Sequence, residues 1–361
     1  SIKDYLNTFD TNSVTVGRNV SKIFGQCLNA FLSTEGTSVS LIYVDATQGW
    51  INVQTDTTIK GSDFVNASGG TETTSGDYKI HTFTSDGTFQ VIEPGTPSGS
   101  TKLSYMVVAG GGGTGRDGAG GGGAGGFREG KCSSDPYTAS PLAATPCSAL
   151  TASAGSFPIT VGGGGPNAGA GAGTGSNSIF STITSAGGGN GGDNPAPNKP
   201  GGDGGSGGGA RSNSAIPNCT SGRGNTPPVS PAQGKNGGDA TPSSPHLGGG
   251  GGGATAVGFD HNAPSCAGFG GAGATTNITG SPTTYAGGGG GGGRTDQSVT
   301  GGAGGSGGGG AGAPGGSGNP DIRTGTDGTT NTGGGGGGGS GVPAPGVAGG
   351  VGGSGIVVIR Y

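Results

Sequence analysis

Apolar residues along this 361-residue chain come in short bursts separated by long stretches with almost none. Near the N-terminus, Ser13-Val14-Thr15-Val16 and Val39-Ser40-Leu41-Ile42-Tyr43-Val44 read as strands, and Thr47-Gln48-Gly49-Trp50 turns into Ile51-Asn52-Val53. Further on, Tyr78-Lys79-Ile80-His81-Thr82-Phe83-Thr84 alternates, Ser85-Asp86-Gly87 turns, and Thr88-Phe89-Gln90-Val91-Ile92 returns, which predicts a hairpin. Strands are also expected over 102–109, 157–161 and 179–184, each running straight into glycine. Ile356-Val357-Val358-Ile359-Arg360-Tyr361 reads as a closing strand. The longest apolar runs are Leu41–Val44, Met106–Ala109 and Ile356–Ile359, far short of the ~20 residues that span a bilayer.

This pattern divides the chain into a small β module at 1–60, a Ser/Thr/Gly-rich linker at 61–76 and a glycine-rich domain at 77–361. Ser1 falls in what reads as mid-strand, so an upstream segment is expected. Between the strands lies an irregular repeat of glycine runs, centred near 111, 122, 163, 189, 205, 250, 271, 290, 307, 336 and 351. Polar loops rich in Pro, Asn, Asp, Ser and Arg separate them, as at 193–200, 210–236, 295–300 and 314–332. Recurring units of this kind point to stacked equivalent elements.

Composition narrows what those units are. Glycine accounts for 97 residues, while apolar residues make up 28% and charged residues 10%, both well below ordinary globular usage. The side chains for a broad enzyme core are missing. Helical bundles do not tolerate such glycine, at roughly 1 kcal/mol per interior Gly relative to Ala. Runs such as Gly287 to Gly293 break the three-residue frame of collagen. A net charge of −4 gives neither the high charge usual in disordered chains nor a basic footprint for nucleic acid.

A bare glycine run favours the extended three-fold polyproline II path, with its N–H and C=O groups pointing outward. If buried, those groups need partners, and neighbouring glycine helices can supply them. Alanine and serine within the runs, as at Ala124, Ala303 and Ser306, are expected on outward faces. The fold class expected is mainly β with no substantial helix: a small N-terminal module and a β-framed domain of packed polyglycine II helices.

Chemical motifs are sparse. Gly-x-Gly-x-x-Gly matches recur by chance at this glycine content, and the near phosphate loop at Gly125 to Lys131 has Cys132 where Ser or Thr is required. His81, His246 and His261 are scattered, and no paired carboxylates share an evident context for acid–base work. No enzyme activity, cofactor or metal is expected. Five cysteines leave at least one unpaired. Cys132 with Cys147 and Cys219 with Cys266 are candidate disulfide pairs, with buried thiols the alternative. The polar loops carry Arg211, Arg223, Arg294 and Arg323, with Phe259, His261 and Tyr285 nearby in sequence. Arg and aromatic residues are the common anchors of binding surfaces.

The series Tyr78 to Phe89, Tyr105-Met106-Val107-Val108-Ala109-Gly110-Gly111-Gly112-Gly113, Gly120 to Gly126 with Phe127-Arg128, Ile159-Thr160-Val161-Gly162, Gly175 to Phe180 and Gly355 to Tyr361 resembles the glycine-rich domain of bacteriophage tail fibres. The resemblance covers about residues 77–361. Asn12 to Asn19 with Tyr43 to Trp50 is similar to a small β module of phage and cyanophage fibres. The Cys-bearing insert Lys131 to Leu150 departs from the pattern. Related tip adhesins use a polyglycine II lattice to display receptor-binding loops. The resemblance therefore implies a virion tail-fibre protein, outside the cell, that recognises a host surface glycan or outer-membrane protein. It also implies contacts with other virion tail proteins and a homo-oligomer, as a trimer. The alternative is a purely structural virion fibre or extracellular filament subunit. Neither nucleic-acid binding nor membrane insertion is expected.

Overall fold

The computed structural model describes residues 2–4, 8–33, 38–53, 63–97, 99–144, 147–167, 172–193, 200–212, 220–240, 246–261, 265–294, 298–316, 324–341 and 348–361. Among the described residues every regular element is a strand. The N-terminal module holds β1 (Ile2–Lys3), β2 (Val14–Val16), β3 (Ala30–Leu32), β4 (Ser38–Val39), β5 (Leu41–Asp45) and β6 (Gly49–Asn52). These pair two by two, β1 with β4, β2 with β3 and β5 with β6, near a small core of Phe9, Leu32 and Val39.

The next strands are β7 (Val65–Ser68), β8 (Thr71–Ser75), β9 (Tyr78–Phe83), β10 (Gly87–Pro94), β11 (Lys102–Val108), β12 (Phe127–Gly130) and β13 (Ala143–Ala144). They are followed by β14 (Leu150–Thr151), β15 (Gly155–Thr160), β16 (Ser178–Phe180), β17 (Ile183–Ser185), β18 (Ala274–Thr276), β19 (Thr283–Tyr285) and β20 (Ile356–Arg360). One sheet runs β17-β16-β15-β10-β7; the other runs β13-β12-β11-β20-β9-β8, with β14 also on β11. The two sheets share a core that includes Phe83, Phe89, Tyr105, Val107, Phe180, Val357 and Ile359. Met106, Val108, Ile356 and Val358 point the other way, into a second core with Phe127, Ile278 and Tyr285. Burial on both faces explains why Ile356–Ile359 reads as one continuous apolar run. The closing strand β20 sits between β11 and β9.

Two expectations are corrected. In its described part, 61–76 contributes β7 and β8 to the sheets and is not a linker. Val65 and Ala67 face the core while Asn66 and Ser68 do not, and the β-branched threonines of β8 suit a strand. The predicted hairpin of 78–84 with 88–92 is also absent. The turn after Phe83 carries the chain from one sheet to the other, so that Phe83 and Phe89 both lie in the shared core, on strands of different sheets.

The glycine runs form the rest of the domain, and their hydrogen bonds repeat every third residue. Ala119, Gly122 and Gly125 donate to Gly339, Gly336 and Gly333; Gly120, Gly123 and Gly126 donate to Gly192, Gly189 and Ala186; Gly121 and Ala124 donate to Gly249 and Gly252, all at 2.8–3.2 Å. The carbonyls of the same run accept from three further segments, 289–292, 206–209 and 109–112. Run 119–126 is thus a three-fold helix ringed by six neighbours. Run 287–293 is bonded in the same way, donating to 307–313, 268–271 and 119–122 and accepting from 248–251, 335–338 and 302–305.

Glycine is required here by space, since none of the glycines in these two runs has φ in the left-handed region. A Cβ on Gly122 would lie 2.1 Å from the Gly112 carbonyl oxygen, and one on Gly289 would lie 1.9 Å from that of Gly336. Perimeter runs need less glycine. In Thr324-Gly325-Thr326-Asp327-Gly328-Thr329 only the two glycines face inward, and the other four residues are exposed. The expected loops 210–236 and 314–332 therefore each contain a lattice run. Ala303 and Ser306 face outward as expected, whereas Ala124 is buried in the core beneath the lattice. Where the lattice ends, side chains replace the missing neighbour: Asp203, Asp239, Asp260 and Asp327 accept backbone N–H groups of Arg223, Ser221, Asp239 and Val351 at 2.6–2.9 Å.

The insert 131–144 is pinned to β20 and the β18–β19 hairpin by a buried polar network. Arg360 Nε donates to Asp135 Oδ1 at 3.0 Å, and its guanidinium lies 4.5 Å from the centre of the Tyr78 ring. The Glu129 carboxylate accepts from the Ser140 N–H at 2.8 Å and the Thr276 hydroxyl at 2.6 Å. Burial raises the Glu129 carboxyl above its usual range against those hydrogen bonds.

Two outcomes are expected. Gly290→Ala, whose methyl would meet the Gly302 carbonyl oxygen at 2.0 Å, should abolish the cooperative thermal transition, while Gly163→Ala, with nothing within 4 Å of its Cβ, should leave it in place. A carboxyl raised in the folded state favours folding below its ordinary pKa and loses that contribution as pH climbs through the raised value. The melting temperature of Glu129→Gln relative to the parent chain should therefore rise as the pH climbs above the ordinary carboxyl range, about pH 4; a constant difference would mean the carboxylate carries no desolvation penalty.

Candidate functional site

The lattice has two ends of different character. Run 110–115 continues straight out of β11 and returns as 119–126 into β12, so the Ala109 N–H bonded to the Gly126 carbonyl at 3.0 Å marks the sheet end. The turn Arg116-Asp117-Gly118 marks the far end. The other runs register on these two through the three-residue ladder. Gly192, Leu247, Gly293 and Gly339 lie at the level of the turn, and Ala186, Ala254, Ala286 and Gly333 lie at the level of the sheets.

Most of the polar connections enter and leave at the far end, where charged side chains tie the turn 116–118 to its neighbours. The Arg116 N–H donates to Asp193 Oδ1 at 3.1 Å. Arg211 Nε donates to the Asp117 carbonyl at 3.0 Å, and its guanidinium forms an ion pair with the Asp117 carboxylate. His246 Nδ1 lies 3.1 Å from the Ser212 hydroxyl, and Leu247, Ala267 and Val299 plug the space beside them.

The residues singled out in the sequence divide by place. Arg211 is at the far end but 7% exposed and engaged with Asp117. Arg294 is also there, half-buried beside Gly118. His261 is exposed next to Asp260, and Phe259, 51% exposed, packs edge-on against Phe269 with ring centres 6.3 Å apart. Arg223 is exposed on the side of the lattice nearer the sheets, its N–H held by Asp203. Tyr285 is not on a displayed loop at all: it ends β19 and is buried with Ile80, Met106 and Phe127. Arg323 lies outside the described residues. Sequence reading missed Arg116, Asp117 and Asp193, although a charged pair set between two glycine runs is the mark of a lattice turn.

A family model described as a glycine-rich domain matches residues 83–361. The chain belongs to the glycine-rich domain family. A comparison with curated protein sequences finds no match. The glycine-rich domain matched in this way takes in the whole lattice and most of both sheets, from the last residue of β9 to the residue after β20.

Among the described residues of the chain no cluster of His, Cys, Asp and Glu is placed to hold a metal ion, and no helix is long and apolar enough to cross a membrane. The three histidines are far apart in role. His81 is fully buried between the Gly69 carbonyl and the Tyr361 hydroxyl, at 2.7 and 2.9 Å.

The cysteines differ from each other as well. Cys27, Cys132, Cys147 and Cys266 are free thiols, none of them buried; Cys219 lies outside the described residues. Cys132 and Cys147 are brought together at the edge of the insert, where the Cys147 thiol is hydrogen-bonded by the Ser133 N–H and by Cys132. These bonds lower its pKa against the effect of burial. Treating the full chain with oxidised glutathione should yield a Cys132–Cys147 disulfide, read as a cross-linked peptide by mass spectrometry; persistent glutathione adducts on both cysteines would show that the thiols cannot reach each other.

Proposed function

We propose that the chain is a receptor-binding protein of the bacteriophage tail-fibre type, which recognises the host cell surface with the far end of its polyglycine lattice. The observation that carries this reading is the polarity of the lattice. The two sheets lie at one end, and polar connections of varied composition leave from the other. A rigid scaffold with variable residues at one end separates folding from recognition, because the connections can change without touching a glycine contact. His261 near that end, and Phe259 on the flank of the same run level with Gly250, offer a hydrogen-bonding group and an exposed aromatic, a combination suited to a surface glycan or a loop of an outer-membrane protein.

In this reading the protein sits outside the cell on the virion, its N-terminal module joins other tail proteins, and it acts as a homo-oligomer, a trimer in the fibre arrangement. Several copies per particle would convert weak single contacts into avid binding without covalent chemistry. The rival reading is a structural fibre or filament subunit. It draws support from Arg211 and Tyr285, two expected contact residues that are engaged inside the fold.

Binding of the labelled full chain to a panel of intact bacterial strains, followed by flow cytometry, separates the two. Receptor recognition predicts strain-selective staining that falls about tenfold in a Phe259→Ala/His261→Ala variant and is retained in Arg223→Ala, away from the far end. Staining of no strain, or equal staining by both variants, would favour the structural role.

A further inference from the structure

A cleft of about 380 Å³ opens in the N-terminal module, where its three strand pairs converge. Val16, Val39 and Leu41 give it an apolar floor, and Trp50 forms part of its wall. The lip is polar: Arg18, Asn19 and Ser21. The Arg18 N–H is held by Asn29 Oδ1 at 3.0 Å, which fixes the backbone of the lip. Among the described residues the Arg18 guanidinium has no hydrogen-bond or ion-pair partner, and the side chains of Asn19 and Ser21 make no hydrogen bond. The lip is also strained. Asn19 and Val20 have φ of 42° and 64°, and a β-branched residue rarely adopts such a conformation. Strain of this kind gathers at ligand sites.

We infer that this cleft binds a small amphipathic anion, an apolar or aromatic body carrying one carboxylate or sulfonate. The apolar body would lie on Val16, Val39 and Leu41 beside the Trp50 ring, and the anionic group would meet Arg18. A guanidinium without a partner at the mouth of an apolar cleft supplies the charge complementarity, with Asn19 and Ser21 offering further hydrogen bonds. The volume lies within the range of small-molecule sites. The inference is independent of the reading of the far end, since it concerns different residues in a different module.

Trp50 is the single tryptophan of the chain, so its emission reports on the cleft directly. Titrating the full chain with 1-anilinonaphthalene-8-sulfonate should quench Trp50 in a saturable way, with one site per chain. Arg18→Gln should weaken that binding about tenfold, and Arg18→Lys, which keeps the charge, should bind close to the parent level. The carboxylate 4-phenylbutyrate should displace the probe, and its neutral amide should not. Unsaturable quenching, equal binding by Arg18→Gln, or equal displacement by the amide would overturn the inference.

Discussion

The contact on which the structure depends is the approach of one backbone to another across a gap too narrow for a methyl group. Around run 119–126, N–H and C=O groups meet those of six neighbours at ordinary hydrogen-bond distance. At most glycines of the lattice an added Cβ would fall about 2 Å from a carbonyl oxygen. A buried backbone must satisfy its polar groups, and a sheet does so in two directions only. The three-fold helix does so in all directions around its axis, and the lattice follows from that geometry. Ordering glycine is entropically expensive. The bonding is therefore effective only as an array, anchored at one end by two sheets with conventional apolar cores.

The same constraint assigns the remaining residues. A side chain is tolerated only where a neighbour is missing, so polar residues occur on the perimeter and at run ends. Asp203, Asp239, Asp260 and Asp327 show the perimeter case, each carboxylate standing in for an absent carbonyl. Arg116, Asp117, Asp193 and Arg211 show the far end, where charged groups hold adjacent turns in register. Sequence freedom is consequently greatest at the end opposite the sheets, which is the physical basis of the recognition proposed there.

Much of the framework was legible in the sequence because strands that pack on both faces read as apolar runs. β11 and β20 lie where 102–109 and 356–361 predict them, and the glycine runs occupy the intervening lattice. What escaped was partner choice. Tyr78 to Ile92 has the local signature of a hairpin, yet its two strands enter different sheets, and Phe83 and Phe89 are both buried in the core those sheets share. Val65 to Ser75 looks like a linker because its threonines carry no strong hydrophobic period. Site residues were hardest to read. Arg211 and Tyr285 have the composition of contact residues, and only the fold reveals that Asp117 and an apolar core already occupy them.

Amide hydrogen exchange is the most direct measure of the lattice. Glycines in an unpaired coil would exchange at once, whereas those in a fully bonded array open only with the domain. The account predicts that amides of Gly120–Gly125 and Gly287–Gly292 are protected to the level of β11 and β20. Rapid exchange across both runs, with β11 and β20 still protected, would contradict it and reduce the glycine segments to tethers hung on a β-sandwich.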